Sequence, residues 1–132
     1  MNDQTAPVLV VDDTDAVREL VMTILEDMGL RAHGAENVTD AKKWLSQNIP
    51  PLVIVDVMMP DGNGLDLCRW IRSQADIKSV PIIVMSGIKD DETAQDALLM
   101  GAMDFIRKPV GVSIIRHRCQ PRRNHTADIF PV

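Results

Sequence analysis

VLVVDD, residues 8–13, joins four apolar residues directly to two carboxylates, Asp12 and Asp13. A continuous apolar run rich in β-branched residues reads as a strand buried on both faces. Adjacent carboxylates repel one another, most strongly where water is scarce. A buried strand that ends in such a pair either meets a solvated turn or holds a cation there.

Outward from this stretch, two periods alternate. Val17, Leu20, Val21, Ile24, Leu25 and Met28 recur at helical spacing, with Asp13 or Thr14 as cap and Gly29 as stop. Residues 30–35, LRAHGA, form a weaker strand. Asn37 or Thr39 opens a second helix carrying Ala41, Trp44 and Leu45, which ends before Pro50-Pro51. Leu52–Asp56 is a buried strand, and MMPDGNG, residues 58–64, a loop. Leu65, Leu67, Cys68, Trp70 and Ile71 predict a third helix. Val80–Gly87 predicts a fourth strand, Asp90–Leu99 a helix with an acidic first turn, and Asp104–Arg107 a last strand. This β-α alternation predicts a doubly wound, five-stranded parallel sheet with helices on both faces.

Sites in such sheets form outside the carboxyl ends of the strands. Those ends carry Asp12 and Asp13, then Asp56, then Ser86 and Gly87, then Lys108 and Pro109. Singly, each has a bland explanation: a helix cap, a turn, a solvated lysine. Together they converge on one edge, and three carboxylates there make an oxygen-rich pocket suited to Mg²⁺. Trp44 and Trp70 read as packing, the methionines as gap fillers and Cys68 as a small core residue. His33, His117 and His125 share no ligand spacing.

Composition narrows the function classes. A chain of 132 residues with 45% hydrophobic content suits one globular domain. A net charge of −5 disfavours direct nucleic-acid binding. The two cysteines, Cys68 and Cys119, form no CxxC pair, as expected of reduced thiols. No signal-like or membrane-spanning run is present, so no membrane insertion and a cytoplasmic location are expected.

VDD at 11–13, VDVMMPDGNG at 55–64, VMSG at 84–87 and DFIRKP at 104–109 resemble, in order and spacing, the receiver domain of two-component response regulators. The resemblance spans about residues 6–110 and implies the flavodoxin-like strand order 2-1-3-4-5. It implies that Asp56 takes a phosphoryl group from a phosphohistidine on a sensor histidine kinase or histidine phosphotransfer protein. Mg²⁺ would be held by Asp13, Asp56 and the backbone carbonyl of Met58, with Asp12 acting through a water on the ion. Ser86 and Lys108 would contact the phosphoryl oxygens, and Phe105 would be the rotating aromatic of the switch. The protein would then be no enzyme in the usual sense, but a signalling receiver that promotes its own phosphorylation and dephosphorylation. Apolar Met58 and Ile88, at positions that govern hydrolysis in receivers, imply a slowly lost phosphoryl group.

Two other readings are available. Asp13-Thr14-Asp15-Ala16-Val17 matches the DxDx(T/V) signature of haloacid-dehalogenase-like phosphatases, with Asp13 as nucleophile. A receiver-like adaptor working without phosphorylation is the other. The C-terminus departs from the receiver pattern. Val112, Ile114, Ile115 and Cys119 predict a last helix of only about two turns, stopped by Gln120-Pro121. Residues 1–119 are therefore expected to form the receiver domain and residues 120–132 a mobile basic tail, with no output domain following. A shortened last helix predicts a protein that is mostly monomer or weak dimer.

Overall fold

The computed structural model describes residues 6–87, 95–98, 101–108 and 111–119. β1 (Val8–Val11), β3 (Val53–Asp56) and β6 (Ile82–Ser86) are buried along their whole length. These are the three most apolar runs of the chain, and they take the centre of the sheet. The more polar β2 (Ala32–Ala35) and β7 (Asp104–Arg107) form its edges. All pairs in this five-stranded sheet are parallel, in the order β2-β1-β3-β6-β7.

This is the order expected for the five predicted strands, because two short extra strands intervene in the chain. The segment expected as an irregular loop folds into an antiparallel hairpin of β4 (Met58–Met59) and β5 (Gly62–Asn63). Period counting misses strands of two residues, which carry no pattern.

Alternate residues of the central strands feed two cores. Leu9, Val11, Val53, Val55, Ile82 and Val84 pack with α2 (Val38–Leu45), α3 (Gly64–Arg72) and Ala97 of the helical residues 95–98 (α4). Val8, Val10, Ile54, Ile83 and Met85 pack with α1 (Asp15–Asp27) and α5 (Val112–Arg118). Helices therefore cover both faces.

The helix ends follow local chemistry. Asn37 Oδ1 accepts from the Asp40 N–H at 2.7 Å, and Asn63 Oδ1 from the Leu65 N–H at 2.7 Å. Thr14 occupies the cap position of α1, but its side chain makes no cap bond. Gly29 closes α1 at φ 87°, a conformation that costs glycine little. α5 has the expected two turns, but its apolar stripe is only half used. Ile115 and Cys119 are buried, whereas Val112 and Ile114 are 50% and 41% exposed. The stripe was expected as one face; its four members in fact point to two environments. Cys68 is buried as expected, and burial pushes both thiols up to about 12. His33, given no ligand role, stacks its ring on Trp44 with centroids 4.9 Å apart. Most of the helix expected over residues 90–99, together with Ile88, Pro109 and the whole tail 120–132, lies outside the described residues.

Candidate functional site

Register brings the strand ends together. Val11 pairs with Val55, so the next residues, Asp12 and Asp56, emerge side by side. Asp56 pairs with Met85 and Ser86 with Arg107, which sets Ser86 and Lys108 beside them. The Lys108 N–H donates to the Ser86 carbonyl at 2.8 Å, extending the β6–β7 ladder by one step.

At the centre is one cation between two carboxylates. Lys108 Nζ lies 3.0 Å from Asp12 Oδ2 and 3.1 Å from Asp56 Oδ1. Asp12, Asp56 and Ser86 are buried, and Asp13 is exposed at the rim. Oxygens of Asp12, Asp13 and Asp56 all lie within 4.8 Å of one another. Burial raises the Asp56 pKa, and the charges of Asp12 and, more weakly, Asp13 push the same way; Lys108 offsets them in part. Burial pulls the Lys108 ammonium down, but hydrogen bonds and charges from Asp12 and Asp56 outweigh it and leave its pKa raised.

Asp12 is anchored on three sides. Its Oδ1 accepts from the Thr14 N–H at 2.9 Å, its N–H donates to the Ala35 carbonyl at 3.1 Å, and its carbonyl accepts from Arg18 Nη1 at 2.8 Å. Its Oδ2 is fully buried and, among the described residues, meets only the Lys108 ammonium. A carboxylate oxygen has two lone pairs, so this one keeps capacity for a further partner. Three clustered carboxylates with one such oxygen fit a hard divalent cation that prefers oxygen donors.

The turn after Asp56 is held tightly. The Val57 N–H donates to the Met85 carbonyl at 3.0 Å, and the Gly64 N–H to the Val57 carbonyl at 2.7 Å. A Cβ on Gly64 would lie 2.0 Å from the Asp56 carbonyl oxygen, so only glycine permits this approach. The Met58 side chain is 63% exposed beside the site. Phe105 is half-buried, packed on the core shared with α2 and α3, with the Arg107 guanidinium 5.5 Å over its ring.

The residues predicted from strand ends are thus brought together: Asp12, Asp13, Asp56, Ser86 and Lys108. The second aspartate of the DxDx(T/V) match is not. Asp15 is 75% exposed, pairs with Arg18 along α1, and is absent from the carboxylate cluster of Asp12, Asp13 and Asp56. Arg18 and Gly64 are site residues that strand-end reasoning missed. Arg18 acts on a main-chain carbonyl, and Gly64 by lacking an atom, so neither leaves a chemical signature in sequence.

A family profile described as the response regulator receiver domain matches residues 8–120. The chain is 36% identical over 102 residues to the transcriptional regulatory protein GltR of Pseudomonas aeruginosa, covering 77% of this chain and 42% of that protein. It is 33% identical over 125 residues to the KDP operon transcriptional regulatory protein KdpE of Escherichia coli, covering 94% and 54%. The chain thus spans about half the length of these curated relatives. A response regulator receiver protein from Pseudomonas putida has a crystal structure that superposes with a TM-score of 0.78 at 36% identity, over 86% of this chain and 94% of that one.

Proposed function

The chain belongs to the response regulator receiver domain family, and from that premise we propose that Asp56 is the residue phosphorylated, in a step that uses Mg²⁺. The observation that carries this reading is the buried pair Asp12 and Asp56 sharing the Lys108 ammonium at 3.0 and 3.1 Å, with Lys108 the one partner of Asp12 Oδ2 among the described residues.

An ionised Asp56 oxygen attacks the phosphorus of a phosphohistidine. The O–P bond forms as the N–P bond breaks; the imidazole leaves, and Asp56 becomes an acyl phosphate. Phosphoryl transfer asks the protein mainly for alignment and for charge neutralisation at the equatorial oxygens. Asp13, Asp56 and the Met58 carbonyl would hold Mg²⁺, with Asp12 behind them. When bound, the ion neutralises charge on the transferring group and orients it. Lys108 stands at hydrogen-bond distance from Asp56 and is positioned to follow the new phosphoryl oxygens. Ser86, on the adjacent strand end, offers a hydroxyl, and its engagement would pull the end of β6 inward. Phe105, one strand away and half-buried, would change rotamer when that happens.

The donor partner would be a sensor histidine kinase or a histidine phosphotransfer protein. The downstream partner would meet the side formed by α4, β7 and α5, where Leu98, Met103, Val112 and Ile114 are exposed. We take residues 1–119 as the receiver domain and the chain as mostly monomer or weak dimer, which sedimentation equilibrium checks.

The test is intact-protein mass spectrometry after incubation with a small acyl-phosphate donor and Mg²⁺. The parent should gain one phosphoryl group and Asp56→Asn none. An undiminished phosphorylated species in the variant would sink the assignment.

A further inference from the structure

Asp61 stands in the turn between β4 and β5, and its exposed carboxylate reaches across to α2. It accepts from the Val38 N–H at 2.9 Å, the Thr39 N–H at 3.0 Å and the Thr39 hydroxyl at 2.6 Å. Its pKa is lowered, first by the Thr39 hydroxyl and then by the two backbone N–H groups. Asn37 already caps the same helix locally, through the Asp40 N–H. The helix therefore has its own cap and also binds a carboxylate from the phosphoacceptor loop.

The hairpin needs that support. It has only two residue pairs, Met58 with Asn63 and Met59 with Gly62, too few to hold a shape alone in water. Its inner end is tied by the Gly64 N–H to the Val57 carbonyl. Its outer end is tied by Asp61, and Gly62 packs so closely on α2 that a Cβ there would lie 3.2 Å from Val38 Cγ2. α2 is itself a firm platform. Val38, Ala41 and Leu45 are buried, and the Lys42 ammonium lies 5.3 Å over the Trp70 ring of α3.

We infer that Asp61 is a positioning residue for the phosphoacceptor site: by pinning the β4–β5 turn to α2, it holds the Met58 main chain where its carbonyl can complete a divalent-cation site with Asp13 and Asp56. The inference rests on the metal reading proposed above. Asp61 touches neither the cation nor the phosphoryl group; it acts through the loop.

Mn²⁺ affinity, followed by electron paramagnetic resonance, tests this without any phosphoryl transfer. Five proteins are compared: the parent, Asp13→Asn, Asp61→Ala, Asp61→Asn and Ile24→Val. Asp13→Asn should lose most Mn²⁺ binding. Asp61→Ala should weaken binding by roughly tenfold, the low end for losing support behind a metal ligand. Asp61→Asn keeps an oxygen that can accept one N–H, and should fall between parent and Ala. Ile24→Val trims the core on the opposite face, and should melt earlier yet bind Mn²⁺ like the parent. If Asp13→Asn binds as tightly as the parent, the metal reading fails and the inference with it. If Asp13→Asn loses binding but Asp61→Ala does not, the clamp alone is overturned. Equal losses in Asp61→Ala and Asp61→Asn would assign the effect to charge, and an equal loss in Ile24→Val would assign it to general destabilisation; either overturns the clamp.

Discussion

Asp56 carries opposed demands. To accept a phosphoryl group as proposed it would have to be ionised, yet burial and the neighbouring Asp12 charge raise its pKa. A raised folded-state pKa means that the folded protein holds the proton more tightly than the unfolded chain does. The contribution from protonating Asp56 is then fully present at low pH and is lost as pH rises through the folded pKa. Asp56→Asn removes this penalty. The variant should melt above the parent at neutral pH without divalent cations, and the gap should close by about pH 4, where the unfolded carboxyl also protonates. Thermal melts at both values check it; an equal or lower melting temperature for Asp56→Asn at neutral pH would show that Lys108 already compensates the buried charge. Arg18 illustrates the other half of residue-scale design: its guanidinium is spent on the Asp12 carbonyl and on Asp15, which aligns the strand end and leaves Lys108 to the carboxylates.

Among the elements, the β3–α3 connection is the most tightly specified. Gly64→Ala would set a Cβ 2.0 Å from the Asp56 carbonyl oxygen, which forces a backbone shift. A loss of about 3 kcal/mol is expected, at the upper end for overpacking, and urea titration would measure it. α5 offers a sharper contrast between neighbours. Ile115 is fully buried against α1 and the sheet, whereas Ile114 is 41% exposed. Ile115→Ala should cost about 3 kcal/mol. Ile114→Ala should stay within about 0.5 kcal/mol of the parent. Similar losses in the two variants would mean that the helix face is wrongly oriented.

Across the whole molecule, stability should be graded from the centre of the sheet outward. β1, β3 and β6 are buried on both faces, while each edge strand pairs on one side only. Amide hydrogen exchange should therefore be slowest in Val10, Ile54 and Val84 and faster in β2. Protection in β2 equal to that of β3 would contradict this gradient. The same gradient places the site well: its carboxylates hang from the most stable strands, whereas the two-pair β4–β5 hairpin beside them depends on its contacts with α2.

Much of this architecture was legible in the order of residues alone. Continuous apolar runs can only be satisfied by burial on both faces, so Val8–Val11 and Leu52–Asp56 declared themselves as buried strands and Val80–Gly87 as a strand, while their central order followed only from the receiver resemblance. Parallel topology then sends every strand end to one edge, which is why the order of residues alone groups Asp12, Asp13, Asp56, Ser86 and Lys108. What the tertiary structure alone decided concerns contacts that have no period and no characteristic side chain. These are the β4–β5 hairpin, the Gly64 approach to a carbonyl, the Arg18 grip on a main-chain oxygen, and the reach of Asp61 across 22 residues to Thr39. It also split the apolar stripe of α5, exposing Val112 and Ile114 while burying Ile115. Hydrophobic patterning encodes which residues leave water, but the partners they meet depend on distances that close only when the layers pack.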